Sequence, residues 1–322
     1  MWKALEARYP EWRAMVIMGT MIPRAGKDAL EGYEITLETA DGNTAEVLVA
    51  PDGKILEDSA EENQKLPQHL RDRGRGIPTS MFGTYIEKGE LLIYPFYEYY
   101  LDNNLEYKPQ EFGFGRDVDY RGKYRASEGL VFVSYGFTDW MAIELEAAVI
   151  DARFEKAPED TSAVPAVIEE SGTGDVEGQV RVRWATETER RPEFFSYFEA
   201  ASPQQKDKLL IGTPDWELKL GTGVIRGFRW GTMTARVAVD YSAEDAKLNL
   251  GEMAIEYLRK LSPSWRIYAG LEGSQDEISL ITEAQWHVSR NVFFRLNNGI
   301  GITSKATDWA PEVGVLFSLP TR

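Results

Sequence analysis

The stretch from Pro214 to Tyr241 constrains the fold most, because apolar and polar residues alternate along it in two long arms around a tight turn. Successive side chains of a β-strand point to opposite faces, so each arm predicts a strand with one apolar and one charged face. Each arm has about a dozen residues, twice the usual globular length and enough for a tilted strand to cross a bilayer. The apolar faces carry Trp216, Leu218, Leu220, Thr222 and Val224 in the first arm and Met233, Ala235, Val237, Val239 and Tyr241 in the second.

The same unit recurs up to the C-terminus and predicts twelve strands. Closed bacterial outer-membrane barrels have an even number of strands, so this count suits a closed barrel. We therefore predict an all-β, up-and-down antiparallel transmembrane β-barrel over residues 83–322. The predicted strands are Glu90–Leu101, Tyr124–Tyr135, Trp140–Asp151, Val176–Thr188, Glu193–Ala200, Asp215–Arg226, Thr232–Tyr241, Leu248–Leu261, Trp265–Gly273, Glu277–His287, Val292–Ile302 and Glu312–Leu319.

The connections between these strands differ in length between the two ends of the predicted barrel. At one end they are mostly long, above all Asp102–Lys123 and Ala152–Asp175. Outer-membrane barrels have short turns in the periplasm and longer loops outside. We therefore expect a bacterial outer-membrane protein whose tight turns, N-terminal module and C-terminus are periplasmic. The tight connections are Gly136–Asp139, Glu189–Pro192, Gly227–Gly231, Ser262–Ser264 and Val288–Asn291.

A soluble lipocalin-like barrel is the alternative, because alternation does not tell a lipid-facing apolar row from an inward one. Such barrels close at about eight strands, which is fewer than this chain offers. Tryptophans also group at both predicted rims, as they do in the aromatic girdles of membrane barrels. The tight-turn rim has Trp140, Trp230, Trp265 and Trp286, and the other rim has Trp216 and Trp309.

Composition excludes several classes of protein. A net charge of −16 and a pI near 4.8 argue against nucleic acid as a partner. The absence of cysteine excludes disulfides and thiolate metal sites. Transmembrane helices are not expected, since no apolar run approaches the length that one needs. Met1-Trp2-Lys3 leads straight into a polar stretch rather than a signal peptide, so export requires this sequence to be a mature form.

Residues 1–58 predict a small α+β module, with a helix at Trp2–Tyr9 and hairpin turns at Asp41-Gly42 and Asp52-Gly53. Its strands are expected at Ala14–Met18, Gly32–Thr39 and Thr44–Ala50. The runs Tyr9-Pro10, Gly32-Tyr33-Glu34-Ile35, Glu46-Val47-Leu48-Val49 and Asp52-Gly53-Lys54-Ile55-Leu56 resemble the PepSY-like family of periplasmic and extracellular modules. That resemblance implies a binding or inhibitory module with a periplasmic protein or peptide as partner. Residues 59–82 predict a charged linker, in which the run Gly74–Pro78 would break any helix.

Two further resemblances concern the barrel. The terminal strand, Glu312–Leu319, resembles the signal that the barrel-assembly machinery reads, with Gly314, Phe317 and Leu319 at the matching positions and Pro320-Thr321-Arg322 beyond them. Residues 83–322 resemble the outer-membrane channels named for the phenol-degradation meta pathway, through Tyr135-Gly136-Phe137-Thr138-Asp139, Gly172-Thr173-Gly174-Asp175 and the apolar last strand. This second resemblance implies passage or binding of small, hydrophobic or aromatic molecules.

If the apolar rows face lipid, the charged rows face the lumen, and opposite charges fall on neighbouring strands. These charges have two interpretations, a constriction that selects solutes or a ladder of salt bridges that fills the interior. Both use the same residues, so the sequence does not separate them. The expected lumen residues are Glu144, Glu146, Arg181, Arg183, Glu217, Lys219, Arg236, Asp240, Glu252, Glu256, Arg266, Glu283 and Arg295, together with Glu98, Glu199 and Glu272.

His287-Val288-Ser289 resembles the His-x-Ser pair of outer-membrane phospholipase A, in which a histidine base activates a serine. Ser289 falls in a predicted tight turn, however, and no third catalytic partner is evident. We therefore predict a protein that is not an enzyme. The acidic loops lack the spacing of a calcium loop, and we expect neither a metal nor a cofactor.

These observations predict a narrow outer-membrane channel or uptake pore for small solutes. Its expected partners are outer-membrane lipid, the barrel-assembly machinery during biogenesis, and a periplasmic protein or peptide at residues 1–58. The alternative is a sealed barrel that anchors this module as a binding or structural protein. A lipolytic enzyme that uses Ser289 and His287 is the third hypothesis.

Overall fold

The computed structural model describes residues 2–24, 27–38, 44–58, 66–115, 117–243, 246–262, 264–274, 277–289 and 291–320. Within them lie a small N-terminal sheet, a segment folded inside a barrel, and the barrel itself. None of the helices in these ranges is long and apolar enough to span a membrane.

The N-terminal region consists of one short helix and a four-stranded antiparallel sheet. Helix α1 spans Trp2–Arg8, and the sheet has the order β1-β2-β3-β4. Its strands are Arg13–Arg24 (β1), Lys27–Glu38 (β2), Thr44–Val49 (β3) and Ile55–Asp58 (β4). The core joins the helix to the sheet through Leu5, Ile35, Leu37, Val47 and Val49.

These elements match the helix and three strands predicted for residues 1–58 and add β4 at the edge. The predicted turn at Asp52-Gly53 is present, with Gly53 in the left-handed region at φ 89°. The other predicted turn, Asp41-Gly42, lies outside the described residues. The structure confirms a helix packed on a small sheet. The resemblance to PepSY-like modules stays a prediction.

Twelve antiparallel strands form a closed barrel, as the sequence predicts. Each strand pairs with the next along the chain, and β18 pairs with β7 to close the ring. The strands are Glu90–Tyr107 (β7), Tyr120–Gly136 (β8), Met141–Glu155 (β9), Val167–Ala185 (β10), Glu193–Ser202 (β11), Glu217–Phe228 (β12), Gly231–Ser242 (β13), Lys247–Lys260 (β14), Trp265–Ser274 (β15), Glu277–Ser289 (β16), Val292–Gly301 (β17) and Ala310–Pro320 (β18).

Strands β7 to β10 are longer than predicted and extend beyond the others at the loop end. The predicted loops Asp102–Lys123 and Ala152–Asp175 are correspondingly shorter, and a 3₁₀ turn at Pro109–Phe112 lies in the first. The register shifts between Asp102 and Leu105 and between Thr173 and Val176. A bulge inserts an extra residue and reverses the alternation beyond it. The predicted strands therefore end at the bulges, before the observed strands do.

The apolar rows lie on the outer face of the barrel. Leu220 is 57% exposed and Val237 40%, in two strands paired side by side. Their exposure excludes the soluble alternative, in which these residues would form a core. Both rims carry exposed tryptophans where they were predicted, and at the turn side Trp265 stacks on Trp286 with ring centroids 6.2 Å apart.

Residues 66–89 run inside the barrel and are called the plug here. They contain a 3₁₀ turn at Gln68–Leu70 and a two-stranded hairpin of Ile77–Pro78 (β5) with Tyr85–Ile86 (β6). Most of this segment was predicted to be a linker between the two domains. Its own residues instead pack against inward-facing side chains of the barrel, near the end that carries the tight turns.

Candidate functional site in the barrel lumen

Arg73 attaches the plug to the barrel wall. Its guanidinium lies 2.8 Å from Glu187 and 3.2 Å from Glu193, and all three side chains are nearly inaccessible to solvent. Glu187 also accepts a hydrogen bond from the backbone N–H of Gly227 at 2.8 Å. Charged hydrogen bonds in such surroundings are the strong ones, so this cluster fixes the start of the plug.

The middle of the plug is held by hydrogen bonds to strands β9 and β10. The backbone N–H and the hydroxyl of Ser80 donate to Glu144 at 3.0 and 2.5 Å. Arg181 donates to the carbonyl of Pro78 at 3.3 Å and forms an ion pair of 3.3 Å with Glu144. Arg183 donates to the carbonyl of Gly76 at 2.9 Å. Two predicted lumen arginines therefore bind backbone carbonyls of the plug.

Apolar contacts hold the hairpin of the plug. Ile77 and Ile86 are fully buried, in a cluster that includes Leu92 and Tyr94 of β7. Farther inside, the ring of Phe82 stacks on Tyr268 with centroids 5.4 Å apart. Burying an apolar side chain contributes about 1.5–3 kcal/mol, so these residues stabilise the plug as much as its ion pairs do.

Two arginines of the barrel wall organise the lumen beside the plug. Arg295 forms a fully buried ion pair with Glu283. Arg236 lies among three glutamates, with an ion pair to Glu252, one of 2.8 Å to Glu256 and one of 2.9 Å to Glu272. Each arginine also faces an aromatic ring, Tyr94 at 4.8 Å for Arg295 and Phe82 at 5.4 Å for Arg236.

The remaining predicted lumen charges take three kinds of position. Lys219 contacts Glu199 at 2.8 Å and lies directly across from Asp240, and Glu217 precedes Lys219 by two residues near the loop end of β12. Arg266 lines a cavity at the turn end. Glu146 lies opposite Glu177 in the register. The arginines of the neighbouring strand have other partners, since Arg181 pairs with Glu144 and Arg183 lies 3.6 Å from Glu193.

A cavity of about 580 Å³ occupies the loop-side half of the lumen. The plug residues Ser80, Met81 and Phe82 form its floor, and Lys305, Ala306 and Thr307 lie at its loop-side end. Nine of its lining residues are acidic and two are basic. The acidic ones are Glu98, Glu128, Glu146, Asp175, Glu177, Glu252, Glu272, Glu277 and Glu312, and the basic ones are Arg295 and Lys305.

A second cavity of about 410 Å³ lies on the other side of the plug, at the turn end. Arg73, Lys88, Lys260, Arg266 and His287 contribute its basic and histidine groups, against the acids Glu87 and Glu90. Plug residues line both cavities, so the plug separates an acidic loop-side space from a more basic turn-side space.

The loop between β11 and β12 folds over the inner face of the barrel. Asp175 accepts hydrogen bonds from the backbone N–H of Gln204 at 2.9 Å and of Thr213 at 2.7 Å. Ile211 of this loop is buried against Ala126 and Ala152 of strands β8 and β9. The loop therefore narrows the loop-side entrance from one wall.

The His-x-Ser pair does not form a catalytic arrangement. The ring of His287 lies 3.2 Å from the side-chain oxygen of Gln285 and stacks on Phe293. The hydroxyl of Ser289 accepts a hydrogen bond from the backbone N–H of Asn291 at 3.1 Å. In the described part of the chain the two side chains thus have different partners, which gives no support to the lipolytic hypothesis.

The C-terminal strand β18 has two faces with different environments. Phe317 and Leu319 point outward, 36% and 44% exposed. Gly314 points inward, and a Cβ there would lie 2.6 Å from the Cβ of Phe96 and still closer to the ring of Tyr94. Glycine is therefore required at this position by packing inside the barrel.

Comparison with known proteins finds no match to a protein-family model and none among curated proteins. Among solved structures, the chain is similar to an outer membrane channel from Pseudomonas putida F1, with a TM-score of 0.55 and 10% identity over 73% of this chain and 97% of that chain. This chain has the fold of an outer membrane channel. Two further similar structures have lower TM-scores. They are the translocator domain of the autotransporter NalP from Neisseria meningitidis (0.44; 11% identity; 72% and 89% covered) and the Ralstonia pickettii toluene transporter TbuX (0.40; 10% identity; 74% and 90% covered).

Sequence reasoning missed the residues that bind the plug and some of the cavity acids. Arg73 and Ser80 were part of the predicted linker, and Glu187 belonged to a predicted strand end. Glu177 alternates in phase with the two predicted lumen arginines of its own strand, so the period of two could have identified it. The strand that carries Glu128 has no predicted lumen residue to set the phase.

Proposed function

We propose that this protein is a narrow outer-membrane channel for small solutes, and that the plug holds it closed. The closure of the barrel without the plug supports this most directly. Strands β7 to β18 pair with one another around the whole ring, and β18 pairs with β7. The plug therefore contributes no strand to the ring, and its withdrawal would join the two cavities into one passage.

The cost of moving the plug is compatible with a closed state that opens. Many of its contacts are hydrogen bonds, which water can replace at a net cost of only about 0.5–1.5 kcal/mol each, or more where charges are involved. Arg73 and the apolar side chains Ile77, Phe82 and Ile86 oppose withdrawal most strongly. We therefore expect opening to be rare. In the sequence, residues 59–65 join the N-terminal module to the plug.

Planar-bilayer recording of the purified full-length protein tests the channel. We expect conductance steps in wild type and solute flux in liposomes, and the absence of both would contradict the proposal. Plug movement is tested with Ser80→Cys/Glu144→Cys, since the chain has no native cysteine. These side chains are in contact, so a short bifunctional thiol reagent should abolish the steps. Ser80→Cys alone with the same reagent is the control.

We orient the barrel as outer-membrane barrels are usually oriented, with the tight turns, the N-terminal module and the C-terminus in the periplasm. A cysteine in place of Asp117, in a long loop, should react with an impermeant maleimide in intact cells. A cysteine in place of Glu189, in a tight connection, should react only after the outer membrane is permeabilised. The opposite pattern would reverse the orientation. Assembly by the barrel-assembly machinery is supported by Phe317 and Leu319 on the outer face of β18.

A sealed barrel that anchors a PepSY-like binding module is the second candidate. The ion pairs of Arg73, Arg295 and Arg236 favour it, because they fill the lumen around the plug. This candidate predicts that plug variants stay silent in bilayers and that the full-length protein captures a periplasmic protein or peptide only when residues 1–58 are present.

A further inference from the structure

Five glutamates form a band across the inner wall of the loop-side cavity, and it is called the acidic band here. Glu312 of β18 lies directly across from Glu98 of β7, which lies directly across from Glu128 of β8. Glu146 of β9 lies directly across from Glu177 of β10. The five glutamates lie on five neighbouring strands in two groups, because the register between β8 and β9 pairs Glu128 with Ile150 and Glu146 with Phe132. Within each group, every register pair joins two glutamates.

Such an arrangement is unfavourable while both side chains are ionised, and a bound cation would relieve the repulsion. Like charges directly opposite each other on paired strands destabilise a sheet. Within the described part of the chain, no ion pair joins Glu98, Glu128, Glu146 or Glu177 to a cation. The nearby Arg236 and Arg295 are instead bound to Glu256 and Glu283. These four glutamates therefore have no counterion among the described residues of the cavity.

Asn297 gives a second indication, independent of the carboxylates. It lines the same cavity and is only 8% exposed. Its amide nitrogen donates to Glu312 at 3.3 Å, whereas no donor in the described part of the chain reaches its amide oxygen. A buried acceptor without a donor costs free energy, and a ligand with N–H groups would satisfy it.

The size and lining of the cavity distinguish among cations. No group of three or more acidic or histidine side chains in the described residues is close enough to hold a metal ion. About 580 Å³ is a volume typical of small-molecule sites. Phe82, Phe96 and Tyr100 line the cavity, and aromatic rings attract the diffuse charge of organic ammonium ions.

We propose that the loop-side cavity binds small organic cations, in which an ammonium group meets the acidic band and an apolar or aromatic part meets Phe82 and Phe96. The site also makes the open channel select cations over anions. This inference deepens the proposed channel function and rests on it for the selectivity, but binding itself does not require that the plug move.

Benzylammonium is the probe, and benzoate and benzyl alcohol of similar size are the matched anionic and neutral compounds. Calorimetric titration of the detergent-solubilised full-length protein should give saturable binding of the cation alone. Binding should weaken at least about tenfold in Glu128→Gln/Glu146→Gln, a difference of about 1.4 kcal/mol. Glu189→Gln, at the opposite rim, makes the same kind of change in charge outside the cavity and should bind as wild type does.

Bilayer recording under a salt gradient tests selectivity separately. The reversal potential should have the sign of a cation-selective channel and shift toward zero in the double variant. Wild type that binds no benzylammonium, or equal binding by wild type and the double variant, overturns the inference. Conductance steps without cation selectivity also overturn the inference, but they support the proposed channel function. Binding of the cation without any conductance contradicts the channel function and supports the binding site.

Discussion

The two halves of the lumen are built from the same residue types and differ in how the charges meet. At the plug, each arginine lies beside a carboxylate, as in Arg73 with Glu187 and Arg295 with Glu283. On the loop side, carboxylates face carboxylates, as in Glu98 with Glu128. Compensated charge makes a rigid obstruction, whereas uncompensated charge leaves space and attraction for a ligand. The location of the ion pairs therefore distinguishes the half of the lumen that is closed from the half that can bind a ligand. The number of lumen charges does not make this distinction.

The largest effect is expected where a buried pair is broken. Arg295→Met removes the only cation in contact with the fully buried Glu283 among the described residues. Leaving one member of a buried pair uncompensated costs about 3–5 kcal/mol. The barrel should then lose its compact migration in unboiled gels at a markedly lower temperature than wild type.

The double variant Arg295→Met/Glu283→Leu is the matched control for this change. It replaces both charges by apolar groups, which is often neutral or stabilising, so most of the loss should be recovered. A single variant as stable as wild type would mean that this half of the lumen is not held by its ion pairs.

The second effect concerns the plug alone. Arg73→Met removes the ion pairs to Glu187 and Glu193, each a charged hydrogen bond of about 1.5–3 kcal/mol. A loss of about 2–3 kcal/mol shifts an equilibrium by roughly 30- to 140-fold. Bilayer recordings should show correspondingly more open time, while the migration of the barrel in unboiled gels stays close to that of wild type. Open time equal to wild type would argue that Arg73 does not hold the channel closed.

The faces of the strands could be predicted from sequence, but the difference between the two halves could not. A period of two assigns Glu144, Glu146 and Arg181 to the lumen, and their strands have that phase. It does not reveal which residues of neighbouring strands lie opposite each other, and that register decides that Arg181 meets Glu144 while Glu146 meets Glu177. Bulges near Asp102 and Thr173 shift the phase further.

The plug escaped prediction for a related reason. Residues 66–89 are polar and rich in turn signals, which is typical of a solvated linker. Such a segment can enter a barrel because the interior is polar as well, so its hydrogen bonds to Glu144 and Arg183 replace water. Gly227 allows the close approach, since a Cβ there would lie 2.6 Å from the carbonyl carbon of His69. These contacts join residues at least 64 positions apart, which local patterns do not encode.

A change outside the lumen tests whether these effects are specific to it. In the N-terminal module, burial and then the hydrogen bond to Asp58 raise the pKa of Tyr9. Tyr9→Phe should destabilise the module by about 0.5–1.5 kcal/mol and leave conductance unchanged. A raised pKa means that folding favours the neutral phenol. The contribution of the neutral Tyr9 phenol to the stability of the module is complete at pH values below the ordinary pKa of about 10 and is lost at higher pH. Urea titrations near pH 11 should therefore give the same stability for the variant and wild type.

The smallest effect on stability has the opposite sign and is expected in the acidic band. Glu146→Gln removes one of two carboxylates that face each other across strands β9 and β10. Relief of a like-charge pair on a sheet contributes about 0.2–1 kcal/mol, so the temperature of barrel unfolding in unboiled gels should rise slightly. Glu144→Gln is the control one inward position away, where the same change weakens contacts with Arg181 and Ser80 and should lower that temperature. If both variants shift in the same direction, the two halves are not electrostatically distinct. Opposite signs from one substitution type at adjacent inward positions would locate the boundary between the compensated and uncompensated lumen at the plug.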